Sequence, residues 1–160
     1  MAQGSLGSLL RQARSRANAP VGAPRRTAAA LCFRRRERRL QFRLVRSRDG
    51  ERWTFPNGPQ RPEETLAQAA AREAADKAGV SGVVDDRPLT EYRHARRADD
   101  LAAAFLLAVQ SAAPSAAAGR SPTWFDAATT HEKLAEGRDA AQARELQRVV
   151  EIAEDELRDA

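Results

Sequence analysis

Glu73, Asp76 and Lys77 are the residues whose types and spacing could do chemistry together, because separations of three and four bring side chains onto one face of a helix. That face could receive a single charged ligand. Carboxylates at all three places would make an oxygen set for Mg²⁺, a hard cation that bridges protein carboxylates and substrate phosphates. Here the third group is an amine, so the spacing equally fits a solvated face on which Arg72, Glu73, Asp76 and Lys77 form local ion pairs. Other metal chemistry is excluded by composition. One cysteine, Cys32, rules out an internal disulfide, and with only His94 and His131 beside it no Cys/His zinc set can be assembled. Any metal has to be held by carboxylates.

Those residues need a helix, and the sequence predicts one from about Pro62 to Ala78. Pro62 suits a first turn, Glu63 and Glu64 complement the positive end of the dipole, and Gly79 stands where a helix stops. Leu66, Ala70, Ala74 and Ala78 form its thin apolar stripe. Upstream, the apolar run Thr27 to Phe33 and the alternation of Leu40, Phe42 and Leu44 against Gln41 and Arg43 predict a hairpin, with the charged segment Arg34 to Arg39 at its turn. Asp49 and Gly50 give a turn signal before Trp53. Downstream, Val80 to Val84 and Pro88 to Tyr92 read as short strands, Leu101 to Val109 as a buried strand, and Thr123 to Phe125 as one more. His94 to Asp100 is a polar loop and Ala112 to Arg120 a small-residue linker. Leu146, Val149, Val150, Ala153 and Leu157 fall at helical spacing within Arg138 to Arg158, so that helix packs one face on the body. Cys32 reads as a small core residue, His94 as part of a solvated loop, and Trp53 as a ring at the sheet edge that could also stack on a base.

At 160 residues the chain is sized for one domain, and its longest apolar stretches fall far short of the roughly 20 residues of a membrane helix. A soluble protein with no membrane partner is expected. Without a long apolar h-region near the start, cytoplasm is the default location. The 27 basic residues outnumber 22 acidic ones, a net +5 that favours anionic partners. Phosphate esters, nucleic acid and anionic lipid all qualify on charge. Residues 1–26 carry Arg11, Arg14, Arg16, Arg25 and Arg26 and no acid, and read as a disordered basic arm, with an organelle transit segment as the alternative. Nucleic acid binding through that arm and the Arg34 to Arg39 run lacks interleaved aromatics and a recognition motif, which ranks it last among the partners.

The segment Gly58 to Val80 resembles the Nudix box, a loop, helix and loop motif written G-x5-E-x7-R-E-U-x-E-E-x-G-U, where U is a bulky aliphatic residue. Gly58, Glu64, Arg72, Glu73, Gly79 and Val80 stand on their required positions. The approach from Arg52 through Trp53, Pro56 and Asn57 to Gly58 is similar to that of the subgroup hydrolysing dinucleoside polyphosphates and diphosphoinositol phosphates, and Trp124-Phe125 suits the end of such a domain. The resemblance extends over about residues 27 to 155, by element order outside the box. It implies an α/β protein of the Nudix fold, an α/β/α sandwich with a mixed β-sheet, spanning residues 27–160 and ending in the C-terminal helix. It also implies Mg²⁺ or Mn²⁺ as cofactor and hydrolysis of a diphosphate in a nucleotide-like or diphosphoinositol-like substrate. Glu73 would serve as metal ligand or base, Asp76 as a weaker ligand, Arg72 as the group orienting Glu73, and Glu64 as support for Arg72. Gly58 would bend the backbone around the pyrophosphate; apart from the resemblance, Lys77 and Trp53 are candidates for contact with the substrate by residue type. Asp99, Asp100 and Glu132 are further carboxylate candidates from other loops.

Three positions depart from the pattern. Ala74 replaces the aliphatic residue, Asp76 is one methylene shorter than Glu, and Lys77 stands where the last Glu would ligate metal. An ammonium at about 4 Å from Mg²⁺ is unfavourable by several kcal/mol even at an effective dielectric near 20. Two outcomes follow. The chain hydrolyses with reduced activity, or it is a degenerate Nudix domain in which Lys77 contacts phosphate directly and the ligand, or a protein partner, is bound without turnover.

Overall fold

The computed structural model describes residues 26–94, 100–113 and 119–158. Apart from Arg26, the expected basic arm lies outside the described residues, as does Asp99.

The strand β1 (Thr27–Arg36) is the axis of the molecule. Its run from Ala28 to Cys32 is buried on both faces, which is why it reads as a continuous apolar stretch rather than an alternation. It pairs in parallel with β7 (Leu101–Ala112), where Ala28, Ala29 and Ala30 meet Ala103, Ala104 and Phe105. Along its other edge, its second half pairs with β2 (Arg39–Arg46) and its first three residues with β4 (Asn57–Pro59), both antiparallel. Between those two partners the Ala30 N–H donates to the Pro56 carbonyl at 2.9 Å, so the chain just before Gly58 is tied to the sheet centre. The strands β3 (Trp53–Thr54) and β8 (Thr123–Asp126) pair with β2, and β5 (Val80–Val84) and β6 (Thr90–Arg93) with β7. The sheet is therefore mixed, with eight strands among the described residues.

The helix α1 (Leu66–Glu73), continued by a single π turn over Ala74–Ala78, covers one face of the sheet. There Ala69, Ala70, Ala74 and Ala78 lie against Ala28, Ala30 and Cys32, and small side chains on both sides let helix and sheet approach closely. The opposite face carries α2 (Ala127–Ala135) and α3 (Ala140–Arg158), which bury Leu134, Leu146, Val149, Val150, Ala153 and Leu157 against Leu31, Phe42, Leu44, Phe55 and Tyr92. This is the α/β/α sandwich expected. Among the described residues no helix is long and apolar enough to cross a membrane.

Several expectations change. The hairpin turn is only Glu37 and Arg38, both at positive φ as a two-residue turn matched to strand twist requires, and Arg34 to Arg36 belong to β1. The sixth strand starts at Thr90 rather than Pro88, and the seventh extends to Ala112 because it has β5 to pair with. Arg43, set against the apolar positions in the alternation, is nonetheless buried. Its Nε donates to the Ala78 carbonyl at 2.9 Å, its guanidinium lies 5.4 Å from the Trp124 ring centre, and burial pushes its pKa below the ordinary arginine value. Cys32 is buried as read, which pushes its thiol up to about 12.

Candidate functional site

The box helix begins at Leu66, four residues later than its first start signal. Thr65 is its N-cap: the Thr65 hydroxyl accepts from the Gln68 N–H at 3.0 Å while the Gln68 side chain accepts from the Thr65 N–H at 2.9 Å. Glu63 and Glu64 therefore stand outside the helix, in the loop that runs from Gly58. Freed from the dipole, Glu64 turns back to Arg72. Its two oxygens accept from Arg72 Nε at 2.8 Å and Nη2 at 2.9 Å, a two-pronged pairing of planar groups, and one of them also accepts from the Arg61 N–H. Arg72 Nη2 donates in addition to the Pro59 carbonyl at 3.0 Å. The loop is thus clasped to the helix by a single guanidinium. These bonds hold the Glu64 carboxyl below the usual carboxylate range and raise the pKa of Arg72 further above neutrality, in both cases against the cost of partial burial.

The remaining Arg72 nitrogen, Nη1, donates to Glu73 Oε1 at 2.7 Å. Glu73 is 5% exposed, and its other oxygen faces Lys77 Nζ at 2.9 Å. Gly58 lies directly over this carboxyl. A Cβ built on Gly58 would overlap it, so the absence of a side chain is what allows β4 to pass. Lys77 also donates to the Asn57 carbonyl, next door to Gly58. Its position depends on the π turn, whose wider winding runs to Gly79 in the left-handed region at φ 64°. The side chain of Asp76 is 60% exposed, with Oδ2 at 3.9 Å from Arg72 Nη1.

Of the residues singled out in the sequence, Gly58, Glu64, Arg72, Glu73 and Lys77 come together, and Asp76 stands at their margin. Trp53 does not join them. It is buried in the core on the opposite face, edge-on to Phe125 at 5.0 Å, with the Arg46 guanidinium 4.1 Å above its ring. Glu132 is exposed on α2, and Asp100 precedes β7, where its carbonyl accepts from the His94 N–H at 3.1 Å. Sequence reasoning missed the carbonyls of Asn57 and Pro59, which carry no signal in residue type. It also passed over the pattern Thr65-x-x-Gln68, which was there to be read.

As packed, this donor set does not fit a resident divalent cation. Both Glu73 oxygens are taken by cationic nitrogens, the Asn57 carbonyl is taken by one of them, and among the described residues no group of three or more His, Cys, Asp or Glu side chains could hold a metal. What the arrangement offers is an anchored ammonium and a guanidinium at a loop whose start is tied to the sheet centre. A shallow cleft of about 350 Å³ lies elsewhere, between the hairpin and the end of α3, lined by Arg35, Arg39, Asp126 and Leu157.

A family model described as NUDIX domain matches residues 23–148. Over 64 residues the chain is 47% identical to human diphosphoinositol polyphosphate phosphohydrolase 3-alpha, a stretch that is 39% of this chain and 38% of that protein. It is 38% identical over 53 residues to Nudix hydrolase 13, mitochondrial, of Arabidopsis thaliana, covering 33% of this chain and 26% of the relative. The matched stretch thus spans well under half the length of these relatives. Among solved structures, a NUDIX hydrolase from Nitrosomonas europaea superposes with a TM-score of 0.63 at 21% identity, covering 83% of this chain and 90% of its own. The NUDIX domain of Shewanella oneidensis NrtR, complexed with ADP ribose, does so at 0.62 and 20%, covering 91% and 98%. At such identities the likeness is one of fold.

Proposed function

This chain belongs to the NUDIX domain family, and from that premise we propose that it binds a phosphorylated small molecule carrying a diphosphate over the box and hydrolyses it slowly. The observation that carries this reading is the Glu73 carboxyl, buried beneath Gly58 and shared between Arg72 and Lys77. A carboxylate with both oxygens so occupied is a poor ligand for a further cation, while the cations around it suit an anionic ligand. The substrate class is supported by the relatives: one acts on diphosphoinositol polyphosphates by its name, and a structural neighbour holds ADP ribose. Both compounds contain a diphosphate.

The double anchoring of Lys77 favours a second reading, in which the ligand is bound without turnover. One assay separates the two. Nucleoside triphosphates, nucleotide sugars, dinucleoside polyphosphates and diphosphoinositol phosphates are offered with Mg²⁺ or Mn²⁺, and binding and phosphate release are followed in parallel. Slow release that vanishes in Glu73→Gln supports the hydrolase. Binding without release selects the second reading, and the absence of both sinks the two together.

A further inference from the structure

We propose that Lys77 is a cation built into the chain, standing where a divalent metal ion would otherwise be held, so that the box meets phosphate oxygens without a metal. Lys77 Nζ contacts one carboxylate oxygen, Glu73 Oε2 at 2.9 Å, and one backbone carbonyl, that of Asn57. Carboxylate and carbonyl oxygens are the donors that a hard divalent cation selects. Here both are bound by nitrogen, and any metal approaching them meets a like charge.

Three features make this a fixed arrangement rather than a loose surface pair. Glu73 is buried, so its charge requires a partner that stays. Its other oxygen is held by Arg72, which is itself locked by Glu64, so the carboxyl cannot swing away. The π turn ending at Gly79 sets the root of the Lys77 side chain, and Asn57 is fixed by its pairing with Ala29 in β1.

An ammonium has three N–H donors, and two are directed at Glu73 and Asn57. The Lys77 side chain is 27% exposed, leaving the third donor for a phosphate oxygen. A monovalent cation on a flexible stem can bind phosphate as a point charge, but it cannot acidify a water molecule as a divalent ion does. Binding is kept and fast hydrolysis is lost. The ligand half of this inference rests on the diphosphate-binding reading above, whereas the metal half does not.

The metal half is tested with no ligand present, by titrating Mn²⁺ and reading the free ion by electron paramagnetic resonance. The wild type should leave Mn²⁺ free into the millimolar range, roughly, while Lys77→Glu takes up Mn²⁺ at least about tenfold more tightly and loses the gain in Lys77→Glu/Glu73→Gln. Wild-type uptake that falls in Glu73→Gln would overturn the proposal, as would a folded Lys77→Glu that gains nothing. Folding is checked by circular dichroism. If Lys77→Glu does not fold, Lys77→Gln decides: its binding of inorganic diphosphate in EDTA should weaken by about tenfold or more, and unchanged binding overturns the proposal. In the wild type, inorganic diphosphate should bind as well in EDTA as in Mg²⁺, and binding that appears only with Mg²⁺ overturns it. If neither condition gives binding, the diphosphate reading fails, and the Mn²⁺ titration still decides the role of Lys77.

Discussion

Gly58 and Glu73 constrain each other through contact. The carboxyl occupies the space that a side chain at position 58 would need, and it is buried there with two cationic partners rather than free to rotate into solvent. Gly58→Ala should therefore displace the Glu73 carboxyl and break one of its pairings. A loss of about 1–3 kcal/mol is expected, read as a lower urea midpoint, together with weaker diphosphate binding. Glu64 makes a different prediction because its bonds to Arg72 hold its pKa below the ordinary value of 4.5. A carboxyl with a depressed folded pKa contributes stability above its unfolded pKa and loses it as pH falls through the folded one. Glu64→Gln should cost about 1.5–3 kcal/mol at neutral pH, where the charged bonds are intact. The gap between wild type and variant should narrow as the pH drops below 4.5 in denaturant titrations. A constant gap would mean that Glu64 contributes by shape rather than charge.

The box helix is eight α-helical residues and one π turn, too short to be stable without its ends secured. Thr65→Ala removes the hydroxyl that accepts from the Gln68 N–H and should lower stability by about 1 kcal/mol, measured by chemical denaturation. The cap also explains what was legible here. The C-terminal limit at Gly79 and the apolar stripe could be read directly, because both depend on local residue type. The start was misplaced, because Pro62 and the two glutamates imitate a first turn, whereas Glu64 is in fact engaged by Arg72 and the Arg61 N–H through contacts that loop closure alone creates. Strands of two and three residues, β3 and β4, are too short to show a period. The helix α2 buries only Thr130 and Leu134, too few to show a stripe. The site was legible where the residues share one helix and its loop. Trp53 was not, since its face is set by pairing with Arg46, a non-local fact.

The whole molecule is two cores separated by one sheet, and this decides which changes reach the site. One core, beneath α2 and α3, is built from large side chains, whereas the other, beneath the box helix, is mostly alanine. Leu134→Ala, fully buried on the far side, should cost about 2–5 kcal/mol while leaving ligand binding intact, because no box residue touches that layer. Ala70→Leu is the complementary case. Ala70 is fully buried where helix and sheet approach closely, so the added volume has to push the helix outward, at about 1–3 kcal/mol. That displacement carries Glu73 and Arg72 away from Gly58, which β4 keeps on the sheet. The smaller loss of stability should thus accompany the larger loss of binding. Denaturant midpoints and diphosphate titrations on both variants measure the two quantities independently. If binding instead tracked stability in both, the sheet would not be insulating one face from the other.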